Sequence, residues 1–571
     1  MHLNPENKIA GVLAPVFALR SANDLGVGDV ASLRDLVDWA AETGFRIVQI
    51  LPINETGGDN SPYNAISSVA LDITTLEVSP QTIPDLTKSA YSLVLKDFDL
   101  EELKEGAVNY TEVKKLKHAL LNKAFTRFVS HEEKVQSPRA LEFSNFCELQ
   151  RTWLGDYAFF RVLADRNSSE RWNTWPQEHT TLVAAKDWVQ TLTARTQKDF
   201  FLRLRYYQYV QWIAFSQWKV LHAYCESKDI TLMGDVPFGV SYYSADVWAD
   251  RESFHLDWSG GAPPEPFFKD DPFTAKWGQN WGIPLYNWDV MRGNNFRWWR
   301  QRVRMVRELL DLFRIDHVLG CYRIYAFPWR PVENSEFLSL SNEEAAGRTG
   351  GRLPGFKPRD DNNDDNKRAN REEGDALLRV LLEETGEFRL IGEDLGSVPD
   401  YVRPNLQSLN IAGFKIPQWE HDWHGEFTRG EHYERVSVAT YATHDHEPIR
   451  SLWESWSANI RENNADAENS RQEMHRMMRY CNLGTDHGWP EYSPEIHNAM
   501  LEALFRSNSW QAICMVTDLF GFTTRFNVPG AISASNWSNR IEIPVEKWKS
   551  DPVLGPQTKV LSNMLQETQR S

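Results

Sequence analysis

The sequence predicts an α/β fold in which one domain of 571 residues closes into a (β/α)8 TIM barrel. Eight short apolar stretches, most of them separated by helical segments, are strand candidates. Such alternation is typical of parallel sheets, and eight strands are the number that closes this kind of barrel. An open, doubly wound sheet is the alternative, but no GxGxxG motif follows a first strand.

Most strand candidates are near-continuous apolar runs, as expected of strands that are buried on both faces. FRIVQILP at residues 45–52 and TLMGDVPFGV at residues 231–240 are the clearest examples. The other candidates are GVLAPVFAL, FRIDHVLG, FRLIGEDLG, GFKIPQW, VSVATYATHD and AICMVTDLFG. Between the first two strands, ASLRDLVDWAAETG at residues 31–44 has the apolar spacing of an amphipathic helix that ends at a glycine.

Two segments are longer than the connections of a minimal (β/α)8 barrel. Residues 79–228 are too long for one βα unit and have helical patterns, so we expect a helical insertion whose last helix belongs to the barrel. Residues 342–375 are polar, glycine-rich and charged, and predict a long polar loop rather than a core element. We expect this loop to lie near the active site, as a lid over it.

Composition excludes several classes of partner. The formal net charge of −17 argues against binding nucleic acid or an anionic membrane through bulk charge. No signal-peptide pattern and no run of eighteen apolar residues is visible, so no membrane span is expected. The five cysteines are scattered without a CxxC pair, which predicts neither a disulfide framework nor a cysteine zinc site and favours a cytoplasmic location.

Acidic residues stand at or just beyond the ends of several predicted strands. They are Asp235 in LMGDVP, Asp316 in FRIDH, Glu393 and Asp394 in LIGEDLG, and Asp445 in ATHDH. One such acid is explained by turn or helix capping. Here four strands end in acids, and Arg314, His317 and His444 stand beside those acids. One shared site explains this pattern better than capping, because active sites lie at the carboxyl ends of barrel strands.

Converging carboxylates without cysteine or a dense histidine cluster are typical of two chemistries. One is glycosyl transfer or hydrolysis, in which one carboxylate is the nucleophile and a second carboxyl of raised pKa is the acid. The other is a divalent metal site with oxygen ligands. Arg314 lies two residues before Asp316 and favours glycosyl transfer or hydrolysis, because a guanidinium keeps a carboxylate ionised and repels a metal cation.

Several motifs carry a resemblance to a known family. GDVPFGVSYYSADVWADRESFHLD, GAPP, WGQNWGIPLYNWDVM, FRIDHVLG, RLIGEDLG, THD, FNVPG and SNWSNRI follow one another in the chain. Together they resemble the amylomaltase family of 4-α-glucanotransferases, the disproportionating enzymes. The resemblance implies a retaining (β/α)8 enzyme without a C-terminal β-sandwich domain. Such an enzyme transfers α-1,4-glucan segments between maltooligosaccharides and needs no metal or cofactor.

The resemblance also assigns roles to residues. Asp316 matches the nucleophile, Glu393 the general acid/base and Asp445 the third carboxylate, which binds ring hydroxyls. The positions that match substrate-binding residues are Tyr63, Asp235, Gln279, Asn280, Trp281, Arg314, Asp394 and His444. Three stretches depart from the family pattern: PFFKDDPFTAK, the residues after SPY, and THDHEPIR.

Two other functions remain open at this point. The same carboxylates serve an α-glucan hydrolase when water, rather than a sugar, resolves the intermediate. A catalytically inactive glucan-binding protein is the second alternative, although the presence of all three carboxylates argues against it.

Overall fold

The computed structural model describes residues 3–264, 271–484, 491–530 and 535–571. The departure PFFKDDPFTAK therefore lies partly outside the described residues. The strands, in chain order, are β1 (Ile9–Leu13), β2 (Ile47–Gln49), β3 (Thr231–Val236), β4 (Phe254–Ala262), β5 (Gln279–Tyr286), β6 (Leu312–Ile315), β7 (Ile324–Phe327), β8 (Gly355–Lys357), β9 (Leu390–Gly392), β10 (Gly413–Lys415), β11 (Ser437–Ala439) and β12 (Gln511–Met515).

Eight of these strands form one parallel sheet in the order β10-β11-β12-β1-β2-β3-β6-β9. Its two end strands meet, because Ile391 and Ala412 form a parallel bridge and the Gly392 N–H donates to the Ala412 carbonyl at 2.9 Å. Each of the eight predicted stretches overlaps one of these strands, and three strands begin one or two residues before the stretch. The predicted (β/α)8 barrel is therefore confirmed.

Helices account for about half of the remaining described residues. They are α1 (Val30–Thr43), α2 (Lys88–Leu95), α3 (Leu100–Lys104), α4 (Tyr110–Phe128), α5 (Pro138–Leu149), α6 (Leu154–Asn167), α7 (Leu182–Thr191), α8 (Ala194–Ser227), α9 (Ala245–Ala249), α10 (Pro272–Trp277), α11 (Trp288–Gly293), α12 (Arg297–Arg307), α13 (Asn334–Phe337), α14 (Asn342–Arg348), α15 (Asp364–Thr385), α16 (Val402–Ser408), α17 (Ile449–Glu462), α18 (Ala467–Tyr480), α19 (Pro494–Arg506), α20 (Val516–Phe520) and α21 (Leu554–Glu567). In the described part of the chain, none of them has the length and apolarity that crossing a membrane requires.

The barrel interior is filled by apolar side chains rather than open. Residues of alternating strand positions meet there: Leu13, Ile47, Met233, Leu312, Ile391, Phe414, Val438 and Ile513 are all buried in one cluster. Alternation along the strands then places Asp235, two residues after Met233, and Arg314, two residues after Leu312, on the same inner face. The polar residues thus lie on top of a closed apolar plug, at the carboxyl ends of the strands.

The segment between β2 and β3 contains helices α2 to α8. Its last helix, α8, extends over 34 residues and lies against α1. The Tyr224 hydroxyl donates to the Asp38 carboxylate of α1 at 2.7 Å. Leu221 and Cys225 of α8 are fully buried. Helix α8 thus forms part of the layer that covers the barrel strands.

Residues 342–375 differ from the loop that the sequence predicts. They form α14, β8 and the first half of α15. Ser341 and Glu344 form a capping box at the start of α14, and the Asn363 side chain caps α15. Because capping residues are polar, the composition that suggested a loop instead includes the signals that begin two helices.

A second sheet, antiparallel and in the order β5-β4-β7-β8, is not predicted from the sequence. Its strands contain Gly260, Gly261 and Gly282, which weaken a strand pattern. The glycines are needed where strands pack closely, because a methyl group at Gly261 would lie 1.9 Å from the carbonyl oxygen of Gln279. This sheet brings the β5 residues Gln279, Asn280 and Trp281 toward the rim of the barrel.

Two helical glycines should respond oppositely to substitution by alanine. A methyl group at Gly374 of α15 would lie 2.1 Å from the buried ring of Tyr322, so Gly374→Ala should reduce the free energy of unfolding by about 1–3 kcal/mol. Gly347 of α14 has no neighbour within 4 Å, so Gly347→Ala should increase it by about 0.5–1 kcal/mol. Urea denaturation followed by tryptophan fluorescence measures both; equal effects would contradict the packing described.

Candidate active site

A buried arginine joins the carboxylates of two neighbouring strands. Asp235 of β3 and Arg314 of β6 are register partners, and Arg314 Nη1 lies 2.5 Å from Asp235 Oδ2. The same nitrogen lies 2.9 Å from Oδ1 of Asp316, the first residue after β6. Arg314 is 3% exposed and sits over the Phe414 ring of the apolar plug. The guanidinium therefore fixes the position of the Asp316 carboxylate and compensates its charge.

Asp235 is buried, and both a cation and a neighbouring carboxylate act on its pKa. Burial raises its pKa to about 6, Arg314 opposes that rise, and the neighbouring Asp316 adds to it. The Tyr63 hydroxyl donates to Asp235 Oδ2 at 2.7 Å. Asp235 is thus held by one cation and one neutral donor.

Tyr63 connects this pair to the residues that follow β11. Its ring stacks on His444, with centroids 4.8 Å apart and planes at 13°. The Trp537 ring lies 5.7 Å from each of these two rings. His444 Nε2 lies 3.3 Å from Asp445 Oδ1. A continuous chain of contacts therefore runs from Asp316 through Arg314, Asp235, Tyr63 and His444 to Asp445.

Glu393 follows β9 directly and is tied to the residue next to Asp316. Its Oε2 accepts a hydrogen bond from the His317 backbone N–H at 2.7 Å. Burial raises the pKa of Glu393 well above its usual value; the charge of Asp316 adds to the shift, and Arg314 opposes it. A carboxyl that keeps its proton beside an arginine-paired carboxylate is suited to general acid catalysis.

Asp445 is the counterpart, a carboxyl whose pKa lies below its usual value. Burial alone would raise this pKa, but His444 and a hydrogen bond from Asn527 Nδ2 at 2.6 Å lower it. The guanidinium of Arg525 donates to the Asp445 backbone carbonyl at 2.7 Å. Asp445 is therefore an ionised carboxylate held from several sides.

Arg525, Asn527 and Trp537 were not among the predicted site residues. They lie after α20, 80 to 92 residues beyond Asp445 in the chain. The FNVPG and SNWSNRI motifs contain Asn527 and Trp537 and were the sequence signal for these two residues, whereas Arg525 lies in neither motif. No strand ends there, so a search for polar residues at strand ends does not find them.

The three predicted residues of β5 differ in what they face. Trp281 is 36% exposed and its ring stands edge-on to His317, with centroids 4.8 Å apart. Its Nε1 donates to Gln279 Oε1 at 3.1 Å. The Asn280 amide instead donates to the Trp329 carbonyl and to Asn334, and accepts from Ser259. Trp281 and Gln279 thus face the catalytic strands, whereas Asn280 supports their sheet.

Asp394, which is predicted to contact substrate, is buried and hydrogen-bonded to neighbouring residues. It is 2% exposed, its Oδ1 accepts from the Phe414 N–H at 2.6 Å, and its Oδ2 accepts from Arg403 Nε at 3.0 Å. Successive residues of an extended chain point to opposite sides, so Glu393 and Asp394 diverge. In this structure Asp394 fixes β10 beside β9.

Exposed tryptophans are rare among the residues that the structure describes, and all three lie in this region or in the loop beside it. Besides Trp281, they are Trp419 and Trp423, which follow β10 and are 48% and 88% exposed. Trp419 stands edge-on to His446, the residue after Asp445, at 4.8 Å between centroids. Flat apolar faces beside carboxylates are suited to binding pyranose rings, whose C–H faces stack on aromatic rings.

Comparison with known proteins gives relatives over nearly the whole chain. The sequence profile of a family described as 4-alpha-glucanotransferase matches residues 14–545. A 4-alpha-glucanotransferase of Chlamydia pneumoniae is 30% identical over 555 residues, covering 94% of this chain and 92% of the relative. One of Chlamydia muridarum is 28% identical over 549 residues, covering 94% and 92%. The structure is similar in fold to amylomaltase from Streptococcus agalactiae in complex with acarbose, with a TM-score of 0.75, 22% identity, and coverage of 99% and 100%.

Arg314→Met should destabilise the protein in a pH-dependent way. It leaves Asp235 buried without its cation, which should reduce the free energy of unfolding by about 3–5 kcal/mol at pH 7. Because Arg314 opposes the rise in the pKa of Asp235, which is about 6 in the wild-type chain, this folded-state pKa should be higher in the variant, so acidification protonates Asp235 there first and the loss should shrink between neutral pH and about pH 6. Urea denaturation at several pH values measures this.

Arg297→Met is the matched control for that experiment. Arg297 has a side chain 73% exposed and lies 3.9 Å from Asp250. Exposed pairs of this kind contribute about 0–1 kcal/mol. A similar loss in both variants, or a loss for Arg314→Met that does not change with pH, would contradict the role given to Arg314.

Proposed function

Because this chain belongs to the 4-alpha-glucanotransferase family, glycoside hydrolase family 77, we propose that it transfers α-1,4-glucan segments between maltooligosaccharides by a retaining double displacement. The observation that carries this proposal is the contrast between two neighbouring carboxyls. Asp316 is paired with Arg314, whereas Glu393, bonded to the backbone of the next residue, has a pKa well above its usual value. A nucleophile and a proton donor are thereby held side by side.

In the first step, Asp316 Oδ attacks the anomeric carbon of the donor glucan. The glycosidic bond breaks as the covalent bond to Asp316 forms, and Glu393 gives its proton to the departing 4-oxygen. Asp445, an ionised carboxylate, binds ring hydroxyls and stabilises the positive charge that develops on the sugar. Arg314 holds Asp316 in position for the attack.

In the second step, Glu393 acts as a base. It takes the proton from the 4-hydroxyl of an acceptor sugar, whose oxygen attacks the anomeric carbon and displaces Asp316. Attack from the opposite face restores the α configuration. The exposed tryptophans Trp281, Trp419 and Trp423 offer aromatic faces to the sugars, and Tyr63, Asp235 and His444 support the ring-binding carboxylates.

Incubation with maltotriose tests the reaction. The wild-type chain should produce glucose together with a ladder of longer maltooligosaccharides, at a constant number of reducing ends. Asp316→Asn removes the nucleophile and should reduce the rate by at least about a thousandfold. A steady rise in reducing ends with only shorter products would assign hydrolysis instead, and sugar binding without turnover in wild type would assign a binding protein.

Glu393→Gln should separate the two steps. This variant lacks the acid, so maltotriose transfer should fall by at least about a hundredfold. Fluoride leaves without a proton, so α-maltosyl fluoride should still form the covalent intermediate on Asp316. Without a base to activate the acceptor, the intermediate should accumulate and appear in the intact mass of the protein. Glu387→Gln, at an exposed glutamate of the same segment, should behave as wild type.

The pH profile should depend on the leaving group. For maltotriose, kcat/KM should fall as the pH rises through the raised pKa of Glu393, because only the protonated acid gives a proton to the leaving sugar. For α-maltosyl fluoride, kcat/KM should lack this fall on the alkaline side. Identical alkaline limbs for the two donors would exclude Glu393 as the acid.

A further inference from the structure

We infer that His222, Glu226 and Asp311 form a binding site for a zinc ion. One ligand atom from each lies within 4.8 Å of the others, namely the His222 imidazole nitrogen and one carboxylate oxygen each of Glu226 and Asp311. Asp311 immediately precedes β6, and Asp316 follows it. The cluster therefore lies at the amino end of the barrel strands, whereas the catalytic carboxylates lie at their carboxyl ends.

The three residues come from two elements that are fixed relative to each other. His222 and Glu226 are four residues apart on α8, so both side chains project from the same face of that helix. His222 Nε2 lies 3.0 Å from Asp311 Oδ1. Helix α8 packs on the barrel through the buried residues Leu221 and Cys225, on either side of His222.

Asp311 is oriented before any ion binds. Its Oδ2 accepts from the Leu232 N–H at 2.9 Å, and its own N–H donates to the Leu232 carbonyl at 2.9 Å. Arg389 donates to the Asp311 backbone carbonyl at 2.9 Å. These contacts to β3 and to the residue before β9 leave Oδ1 directed at α8. An ordered carboxylate of this kind loses little conformational freedom when it coordinates a metal.

The donor set favours zinc over the harder divalent ions. One imidazole nitrogen with two carboxylate oxygens suits a borderline-soft ion, whereas Mg²⁺ and Ca²⁺ prefer oxygen alone. Zinc ligands lie about 2.0–2.2 Å from the ion. The exposed Glu226 side chain is the ligand that can adjust its position to meet this distance. The His222 and Asp311 side chains are 18% and 19% exposed, so water can reach the remaining coordination positions.

The surrounding charges permit a dication. Lys219, one turn before His222, is paired with Glu308 at 2.6 Å. Arg389 is turned toward a backbone carbonyl of Asp311. The two carboxylates of the cluster thus face the ion directly. Zinc bound here joins α8 to β3 and β6, so it stabilises the folded chain without taking part in glucan transfer.

Titration calorimetry of the full chain, freed of metal by a chelator, tests the site with ZnCl₂ and MgCl₂. We expect one zinc per chain at this site, bound at least tenfold more tightly than magnesium, with a rise in Tm that grows with zinc concentration. Glu226→Gln keeps the His222–Asp311 pair but removes a ligand, and should weaken zinc binding about tenfold or more. His222→Ala should abolish it. His131→Ala, at an exposed histidine after α4, is the control and should bind as wild type.

Zinc binding that persists undiminished in both Glu226→Gln and His222→Ala would overturn the assignment, as would the absence of heat and of a Tm shift up to millimolar zinc. His222→Ala changes the Tm even without zinc, so the variants are compared by the change in Tm that zinc causes. Maltotriose transfer without zinc should be the same in all three variants. The site and the proposed catalytic function therefore succeed or fail independently.

Discussion

The structure of the site depends on one buried cation, Arg314, held between the carboxylates of Asp235 and Asp316. Removing a guanidinium and a carboxylate from water is costly, and only close pairing offsets the cost. This requirement fixes the register of β3 against β6. A slip of one residue would turn Arg314 to the outer face, where Phe313 and Ile315 pack against the surrounding helices, and leave Asp235 without its cation. The barrel and the proposed reaction centre are thus specified by the same strand pair.

The sequence predicted the barrel well because its strands are buried on both faces. Runs such as FRIVQILP have no polar face, so the pattern is distinct even where only three residues pair. The antiparallel sheet had no such pattern, because close strand packing placed glycines where alternating apolar residues would have revealed it. Residues 342–375 were wrongly predicted to be a loop. Their polar residues include the caps of α14 and α15, and polar composition alone does not distinguish helix caps from a loop.

The site could be predicted to the extent that its residues end strands. Asp235, Asp316 and Glu393 meet this condition, and the structure places them around Arg314 or beside it. Asp394 shows the limit, because adjacency in the chain cannot say which of two neighbouring acids faces the site. Asn527 shows another: its contact with Asp445 joins residues 82 apart through an irregular segment, and only the folded chain brings them together.

Glu393 and Asp445 illustrate how one barrel rim holds carboxyls in different protonation states. Burial pushes the pKa of both upward, so burial does not distinguish them. The difference lies in the nearest donors and charges. Asp445 has His444 and the amide of Asn527, which stabilise a carboxylate, whereas Glu393 has one backbone N–H and the repelling charge of Asp316. Arg314 acts in the opposite direction on Glu393, because its positive charge lowers the pKa of that carboxyl, but burial raises this pKa by more and the negative charge of Asp316 adds to the rise. In the proposed mechanism, the bond between Asp316 and the sugar removes that negative charge, which should lower the pKa of Glu393 as the acid of the first step becomes the base of the second.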